Sequence, residues 1–529
     1  FFKKVGKSLD LVGIAFWRRP VALSDIYKDL MPQTQDTADE TSFGSRVRSA
    51  VIWRSGTQIL GQIVSWGSTL IILRILDPSD YGLFAMTQVI LAFLAFMNGY
   101  FFASSLIQAE SVGKQQIRQA FGILLLINVG LALLQLVLAP YAADYYNQPM
   151  VAELLRWQSL IYLATPFLVI PEVVLSRDLE FKRPALVNLL SSFIGAGVGL
   201  AAALSGWGVW TLVIAPISVF WSRAIALTIL TKMYIWPSFD FRGTGHMVKF
   251  GSTLLIAHGF WIIQSQADIF IAGRVLSPHE LGLYAEALFL AQVFAARFVP
   301  PLNEVAFPAY SRLQDDPSAF AYSFQKAARL VMLIACPLYV GMAVTAAPLV
   351  ETVLGDKWLG MIPFIVIFAI AMPIMTLQIL FSPAINAIGK PRISAEISAF
   401  GAVVMPIAFL IGVRFGATGL AWGWVAAYPL LLAFTVLRTG KHIGVDATTL
   451  WRSTWPGLST AAAMGLIVWG LDRWILPPMA PPAQLAILVA TGGLSYVALL
   501  YLGARETWDE LVRLVVKRKA PVPEPVPAE

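Results

Sequence analysis

Five polar side chains fall at helical spacing in an otherwise apolar stretch. They are Arg54, Gln58, Gln62, Ser65 and Thr69. At about 100° per residue they lie within an arc of roughly 80°, so they predict a polar stripe along one helix. The guanidinium at the head of the stripe can make bidentate contacts with phosphate oxygens. The stripe therefore predicts the lining of a polar cavity, or else hydrogen-bonded contacts between helices.

Two further cations lie in apolar surroundings. Arg297 is a second candidate for anion binding, although an ion pair with Glu304, seven residues further on, would explain it equally well. Lys249 in the segment VKFGS corresponds to Arg54 in the segment WRSGT, and it could have the same role. Alternatively, its side chain extends to the membrane interface. Both cations are retained as candidates.

Asp268 is the acidic residue best placed to bind a cation. It follows Gln264 by one helical turn within an apolar stretch. A buried carboxylate can bind Na⁺ or carry a proton, and these two residues form the candidate ion-coupling site. The alternative is a structural role, in which Asp268 pairs with Arg274.

Composition identifies the elements that position these residues. Hydrophobic residues make up 57% of the 529 residues and charged residues 13%, and the mean hydropathy is +0.70. Soluble domains carry about 25% charged residues, so the chain is predicted to be an all-α polytopic membrane protein. Fourteen apolar stretches are long enough to span a bilayer: 49–73, 84–108, 119–140, 152–171, 184–204, 208–231, 248–272, 282–306, 327–347, 358–382, 393–413, 416–437, 454–476 and 482–503.

The distribution of positive charge supports this number. With the N-terminus in the cytoplasm, 29 of the 38 lysine and arginine residues fall on the cytoplasmic side, and five fall in the outer loops. This asymmetry follows the positive-inside rule and predicts that both termini are cytoplasmic. The net charge of +7 is thereby explained without a nucleic-acid partner.

A repeat divides the predicted spans into two sets of six. The segment 74–85 (RILDPSDYGLFA) recurs as 274–285 (RVLSPHELGLYA), in the turn after the first span of each set. Six spans per set give both sets the same orientation, as in parallel-repeat transporters. The predicted organisation is an N-terminal cytoplasmic or membrane-surface arm (1–45), an N-lobe (46–240), a C-lobe (241–440), helices 13 and 14 (441–505) and a cytoplasmic tail (506–529).

Motifs for enzymatic chemistry are missing from the sequence. It has no phosphate-binding loop of the G-x-x-x-x-G-K-[ST] type, no H-E-x-x-H motif and a single cysteine, Cys336. We therefore expect no cofactor, no metal site and no catalytic residue. A membrane enzyme acting on lipid-linked sugars stays a less favoured alternative, because the predicted outer loops are short.

Several motifs together resemble one transporter family. They are SRDLEFKRPALVNL (176–189), GWGVWTLV (206–213), ADIFIAGRVLSPHELGLYAEA (267–287), FPAYSRLQDD (307–316) and ETVLGDKW (351–358). In this order they resemble the polysaccharide-transporter (Wzx-type) family of the multidrug/oligosaccharidyl-lipid/polysaccharide exporter superfamily. The resemblance implies a flippase in the bacterial inner membrane that moves polyprenyl-diphosphate-linked oligosaccharide to the periplasmic leaflet by alternating access. Its product would serve exopolysaccharide, capsule or O-antigen synthesis.

This resemblance assigns expected roles to the candidate residues. The diphosphate would be bound by Arg54, Gln58, Gln62, Arg297 and Lys249. Na⁺ or H⁺ at Asp268 and Gln264 would drive transport, unless the membrane potential acting on the diphosphate suffices. Membrane lipids and other polysaccharide assembly proteins are the further expected partners. The alternatives are a cation-coupled multidrug exporter of the same superfamily and a flippase for the peptidoglycan precursor.

Overall fold

A computed structural model of the chain describes residues 37–98, 113–177, 180, 182–232, 236–240, 245–503 and 505. Side chains are described for the same residues apart from 37–55 and 245–258. The contacts within the chain separate two units, Phe1–Gly56 and Thr57–Glu529. The predicted arm (1–45) lies mostly outside the described residues, and the predicted tail (506–529) lies wholly outside them.

Every regular element in the described ranges is helical. The α-helices, numbered in chain order, are α1 Thr37–Ile75, α2 Pro78–Phe96, α3 Lys114–Tyr146, α4 Pro149–Gln158, α5 Leu160–Arg177, α6 Lys182–Leu204, α7 Trp210–Leu230, α8 Gly245–Val275, α9 Pro278–Ser311, α10 Pro317–Val344, α11 Ala346–Val353, α12 Ile362–Ile379, α13 Phe381–Ala387, α14 Pro391–Gly412, α15 Gly416–Ile443, α16 Ala447–Gly470 and α17 Pro481–Gly503. Short 3₁₀ turns cover Asp356–Met361 and Val413–Phe415, and a π-helical turn covers Leu471–Ile475.

Many of these helices are suited to a bilayer. Eleven segments of the described chain are long and apolar enough to cross a membrane, and one of them, Pro391–Ile443, contains both α14 and α15. Each of the fourteen apolar stretches predicted from the sequence overlaps a helix, although residues 99–108 of the second stretch lie outside the described residues. The described chain is therefore an all-helical structure with many potential membrane spans.

Local sequence explains where several helices begin and end. Proline is the first residue of α2, α9, α10 and α14, where a missing N–H costs no intrahelical hydrogen bond. After α3, Asn147 adopts a left-handed conformation with φ of 53°. Near the end of α11, Gly355 has φ of 93°. These two reversals turn the chain at the places where it contacts the opposite half of the molecule.

Packing is densest in the second half of the chain, from residue 245 onward. There α8 packs on α14, α9 on α12, α12 on α15 and α10 on α16. The largest cluster of buried apolar side chains lies mostly among these helices and includes large side chains with at most 1% exposure. Examples are Phe324, Tyr339, Phe368, Phe381 and Phe409. This core forms a rigid frame around the buried polar groups described below.

Candidate functional site

The two copies of the repeated turn meet at one end of the bundle, which we call the turn end. A Cβ atom added at Gly82 would overlap the Pro278 carbonyl oxygen, and one added at Gly282 would overlap the Pro78 carbonyl oxygen. No larger residue fits at either glycine without movement of the backbone. The paired glycines therefore allow α2 and α9 to cross in direct backbone contact.

The arginine that opens each copy reaches the opposite half of the chain. Arg74 donates to the Thr352 carbonyl oxygen over 2.8 Å. Arg274 donates to the carbonyl oxygens of Asp144, over 3.2 Å, and of Tyr145. Both sets of acceptors lie in the last turn of a helix, where carbonyl groups lack intrahelical partners and a positive charge is favourable. The two arginines thus make equivalent contacts across the turn end.

A second set of contacts is present on one side of the turn end. Trp358 is fully buried, and its indole Nε1 donates to the Leu73 carbonyl oxygen over 2.9 Å. The neighbouring Lys357 donates to the Ile75 carbonyl oxygen over 3.1 Å and pairs with Asp77 at 2.9 Å. Because that ion pair is exposed, the buried tryptophan contributes most of the stability of this contact.

The predicted polar stripe lies on α1. Gln58 is exposed and Gln62 half-buried, and neither makes a hydrogen bond or ion pair within the described chain. Packing of α1 against α6 occurs through Gly61 instead. Another face of α1 exposes apolar side chains, including Ile59 and Ile63. The described amides of the stripe are therefore free to bind a ligand, and they do not join α1 to another described helix.

The predicted cations are placed only in part. Arg54 lies in α1 and Lys249 in α8, but both side chains are outside the described residues. Arg297 is exposed on α9 and makes no ion pair in the described chain. Glu304 on the same helix is also exposed and unpaired there, so the alternative pairing of these two residues is not observed.

Asp268 in α8 is fully buried and contacts aromatic side chains. Its Oδ2 accepts a hydrogen bond from the Tyr284 hydroxyl of α9 over 3.1 Å. That hydroxyl accepts a hydrogen bond from Trp424 Nε1 of α15 over 2.8 Å. Oδ1 has no hydrogen-bond partner among the described residues. The alternative pairing with Arg274 is not formed, because that guanidinium contacts the end of α3.

Other polar groups surround Asp268. Gln264 lies one turn earlier on α8, and its amide oxygen fills the space beside Gly401 of α14. Tyr428 of α15 neighbours both Gln264 and Asp268. An unpaired buried carboxylate is costly unless it takes up a proton or a cation, so this arrangement can bind either. No group of three or more His, Cys, Asp or Glu side chains suited to a metal ion occurs in the described part of the chain.

Sequence reasoning missed the two aromatic partners of Asp268. Tyr284 carried a signal, because it stands in the repeated turn where the first copy has Phe84. The additional hydroxyl is the group that donates to Asp268, and the first copy has no equivalent of it. Trp424 carried no such signal, since it lies far along the chain and meets Tyr284 only through packing.

Comparison with known proteins gives the family of the chain. Residues 71–363, more than half of the chain, match the family model described as polysaccharide biosynthesis protein.

The teichuronic acid biosynthesis protein TuaB of Bacillus subtilis (strain 168) is 23% identical over 420 residues, which cover 78% of this chain and 86% of TuaB. The lipopolysaccharide biosynthesis protein WzxC of Escherichia coli (strain K12) is 22% identical over 420 residues, covering 76% of this chain and 84% of WzxC. The succinoglycan biosynthesis transport protein ExoT of Rhizobium meliloti (strain 1021) is 24% identical over 323 residues, covering 60% of this chain and 65% of ExoT.

Solved structures show the same fold. The lipid II flippase MurJ in an inward closed conformation superposes with a TM-score of 0.71 at 12% identity, covering 88% of this chain and 100% of the MurJ chain. An inward-facing multidrug resistance MATE family transporter of the MOP superfamily superposes with a TM-score of 0.56 at 14% identity, covering 75% of this chain and 100% of that transporter. At these identities the comparison establishes the fold alone.

These findings agree with the residues from which the family resemblance was drawn. The motifs at 176–189, 206–213, 267–287, 307–316 and 351–358 lie within the matched segment. The chain is a multi-pass membrane protein, and its named relatives include the transport protein ExoT, as expected for a transporter. It belongs to the polysaccharide biosynthesis protein family, in agreement with the resemblance of its motifs to the Wzx-type polysaccharide transporters.

Proposed function

We propose that this chain moves polyprenyl-diphosphate-linked oligosaccharide from the cytoplasmic to the periplasmic leaflet of the bacterial inner membrane. The observation that carries the proposal is the α1 stripe, whose described amides have no partner among the described residues although they lie within an apolar helix. A polar face in a membrane span is costly unless it faces a cavity or a ligand. The names of TuaB, WzxC and ExoT, which refer to teichuronic acid, lipopolysaccharide and succinoglycan, support a glycan as cargo.

The architecture we propose has fourteen spans and cytoplasmic termini. The first six spans form the lobe 46–240 and the next six form the lobe 241–440. The last two spans, helices 13 and 14 of the predicted organisation (441–505), lie outside the repeat. The helices overlapping all fourteen predicted stretches support this count. The equivalent contacts of Arg74 and Arg274 support two lobes that separate at the turn end and close again during alternating access.

Within this architecture the head group binds between the lobes. Arg54, Arg297 and Lys249 supply positive charge to the diphosphate, and Gln58 and Gln62 supply hydrogen bonds. The polyprenyl chain stays in lipid. Support comes from the exposure of Arg297 and from the lack of a protein anion paired with it in the described chain, which leaves its guanidinium available for phosphate oxygens.

Energy coupling is assigned to Asp268 and Gln264. The free Oδ1 of the buried carboxylate supports the uptake of Na⁺ or H⁺. The membrane potential adds a second driving force, because moving one charge through 100 mV yields about 2.3 kcal/mol. A diphosphate carries about two negative charges, so a potential of 100 mV favours export by roughly 4–5 kcal/mol. Other polysaccharide assembly proteins would use the exported product.

The surroundings of Asp268 also favour a second candidate function, cation-coupled export of cationic drugs. A buried carboxylate beside Tyr284, Trp424 and Tyr428 offers the acid and the aromatic rings that bind organic cations. The exposed, unpaired Arg297 opposes this function, because it repels a cation entering between the lobes.

Competition between ligands separates the two candidates. The purified full-length chain is incubated with a fluorescent polyprenyl diphosphate, and bound fluorescence is measured as unlabelled polyprenyl diphosphate or a cationic dye is added. The proposal predicts displacement by the diphosphate and none by the dye. Displacement by the dye, or failure of the diphosphate to bind, would overturn it.

A further inference from the structure

Glu286 is an acidic side chain for which the mechanism above has no use. It lies on α9 one turn after Gly282, the glycine in contact with the first copy of the repeated turn. The side chain is partly buried and makes no hydrogen bond or ion pair in the described chain. It therefore lies beside the contact that closes the turn end, with no group to neutralise it.

The helix opposite α9 provides a polar neighbour, Tyr81. The Tyr81 side chain on α2 is 5% exposed and close enough to Glu286 for the two to interact electrostatically. Its hydroxyl has no hydrogen-bond partner in the described chain. The edge of the Trp358 ring covers Tyr81, with 5.4 Å between ring centroids. Two polar side chains without a hydrogen-bond partner in the described chain thus lie near one another at the joint between α2 and α9.

No described cation compensates the carboxylate of Glu286. No charged side chain among the described residues acts on it appreciably. The rings of Phe364 and Phe368 on α12 pack against Tyr284 of α9. The Tyr284 hydroxyl donates its hydrogen bond to Asp268. Lys357, in the turn after α11, is paired with Asp77. An ionised Glu286 would therefore be unpaired in these surroundings, which is costly, whereas its protonated form is neutral.

The ligand that suits this place is a proton. Hard metal cations take about six or more oxygen ligands, and Glu286 with Tyr81 offers three at most. No group of three or more His, Cys, Asp or Glu side chains suited to a metal ion occurs in the described chain. A single carboxyl group suffices for a proton, because protonation alone makes the side chain neutral.

We infer that Glu286 binds a proton when α2 and α9 are in contact, and releases it when the turn end opens to water. The inference rests on the alternating access of the proposed function, and it adds a proton site apart from Asp268. The sign of the effect follows directly. Because the closed state requires neutral Glu286, closure is favoured at low pH, and opening becomes more favourable as pH rises.

The distance across the turn end tests this inference without any substrate. Spin labels are placed at Ser79→Cys and His279→Cys, in a full-length Cys336→Ala background, and the distance distribution is measured between pH 5 and pH 9. We expect the ratio of closed to open protein to fall at least about tenfold as the pH rises over this interval. A tenfold change is what one titrating group produces over one pH unit.

Two variants give this test its specificity. Glu286→Gln cannot ionise and is expected to stay closed at every pH. Glu304→Gln, an exposed acid on the same helix, is expected to follow the parent protein. The inference is overturned if Glu286→Gln retains the parental pH response, if the parent opens equally at all pH values, or if it stays closed throughout. Failure of the unlabelled chain to move polyprenyl-diphosphate-linked glycan would overturn the proposed function instead, whatever the spin-label distances show.

Discussion

The two copies of the repeat differ at the positions that carry ionisable chemistry. Counting 200 residues onward, three of the differing pairs are Ser68 and Asp268, Phe84 and Tyr284, and Met86 and Glu286. The arginine, proline and glycine that join the halves are the same in both copies. The comparison indicates that the shared residues make the joint, and that the carboxylates Asp268 and Glu286 are found in the second half where the first half has Ser68 and Met86.

The first half has its own polar feature in the α1 stripe. Gln58 and Gln62 are accessible there, whereas Asp268 and its hydrogen-bond partners are buried. Accessible amides suit a large ligand that enters and leaves, and a buried carboxylate suits a proton or a small cation. We propose that the α1 amides of the first half contribute hydrogen bonds to the glycan lipid bound between the lobes, and that cation coupling belongs to the second half.

The largest effect is expected where the copies are identical. Gly282→Ala places a Cβ against the Pro78 carbonyl oxygen and strains the joint by about 1–3 kcal/mol. We therefore expect closure of the turn end to weaken by up to roughly a hundredfold, with a matching loss of transport. Gly67→Ala is the matched control, since nothing lies within 4 Å of its added Cβ. Equal transport by both variants would show that close contact of α2 and α9 is unnecessary.

The next effect concerns the cations proposed to bind the head group. Arg54→Ala and Arg297→Ala each remove charge-assisted hydrogen bonds worth about 1.5–3 kcal/mol, so glycan export should fall roughly ten- to hundredfold with normal membrane insertion. Lysine at either position should rescue export in part, because it keeps the charge but loses the bidentate geometry. Arg414→Ala, an exposed arginine between α14 and α15, serves as control. Full export by both alanine variants would remove the two arginines from the mechanism.

A smaller and more selective effect is expected at Asp268. We expect Asp268→Asn to lose the response of transport to an Na⁺ or H⁺ gradient while it still binds the lipid-linked substrate. Ser68→Ala, at the corresponding position of the first half, should keep that response. The measurement is transport by reconstituted vesicles with and without each gradient.

The other outcomes at Asp268 are equally informative. An Asp268→Asn variant with the response of the parent would leave the membrane potential as the driving force. Loss of folded protein would give Asp268 a structural role through its bond with Tyr284. In that case Tyr284→Phe, which removes the same bond and keeps the carboxylate, should be destabilised as well.

The smallest effect lies outside the spans, at the start of α16. Hydrogen bonds from Thr449 lower the pKa of Asp446, which caps this helix. A lowered pKa means that the carboxylate stabilises the fold above its unfolded pKa of about 3.9, and that this stabilisation is lost as pH falls through the lower folded value. Asp446→Ala should therefore lower the melting temperature slightly at pH 7, and by progressively less as the pH falls below the unfolded pKa toward the lower folded pKa. A difference that persists in acid would indicate a role other than that of the charged cap.

Sequence reasoning predicted much of the fold for a physical reason. The turns at Pro78 and Pro278 follow from local chemistry, and the apolar stretches overlap helices because a bilayer requires such lengths. The position of Asp268 within a span was likewise readable. The bonds from Tyr284 and Trp424 were not, since they depend on how α9 and α15 pack. The contact of Arg74 with Thr352 joins residues 278 positions apart, so local patterns carried no trace of it.

The central claim is that the chain moves a diphosphate-linked glycan across a bilayer with the help of Arg54 and Arg297. The most direct measurement uses vesicles containing the full chain and a polyprenyl diphosphate with a short fluorescent oligosaccharide, and follows the appearance of the label on the opposite leaflet. The account predicts translocation at least about tenfold faster than in protein-free vesicles, a difference of about 1.4 kcal/mol in barrier. The Arg54→Ala, Arg297→Ala double variant should fall close to the protein-free rate. Translocation no faster than in protein-free vesicles, or equal translocation by the double variant, would contradict the account.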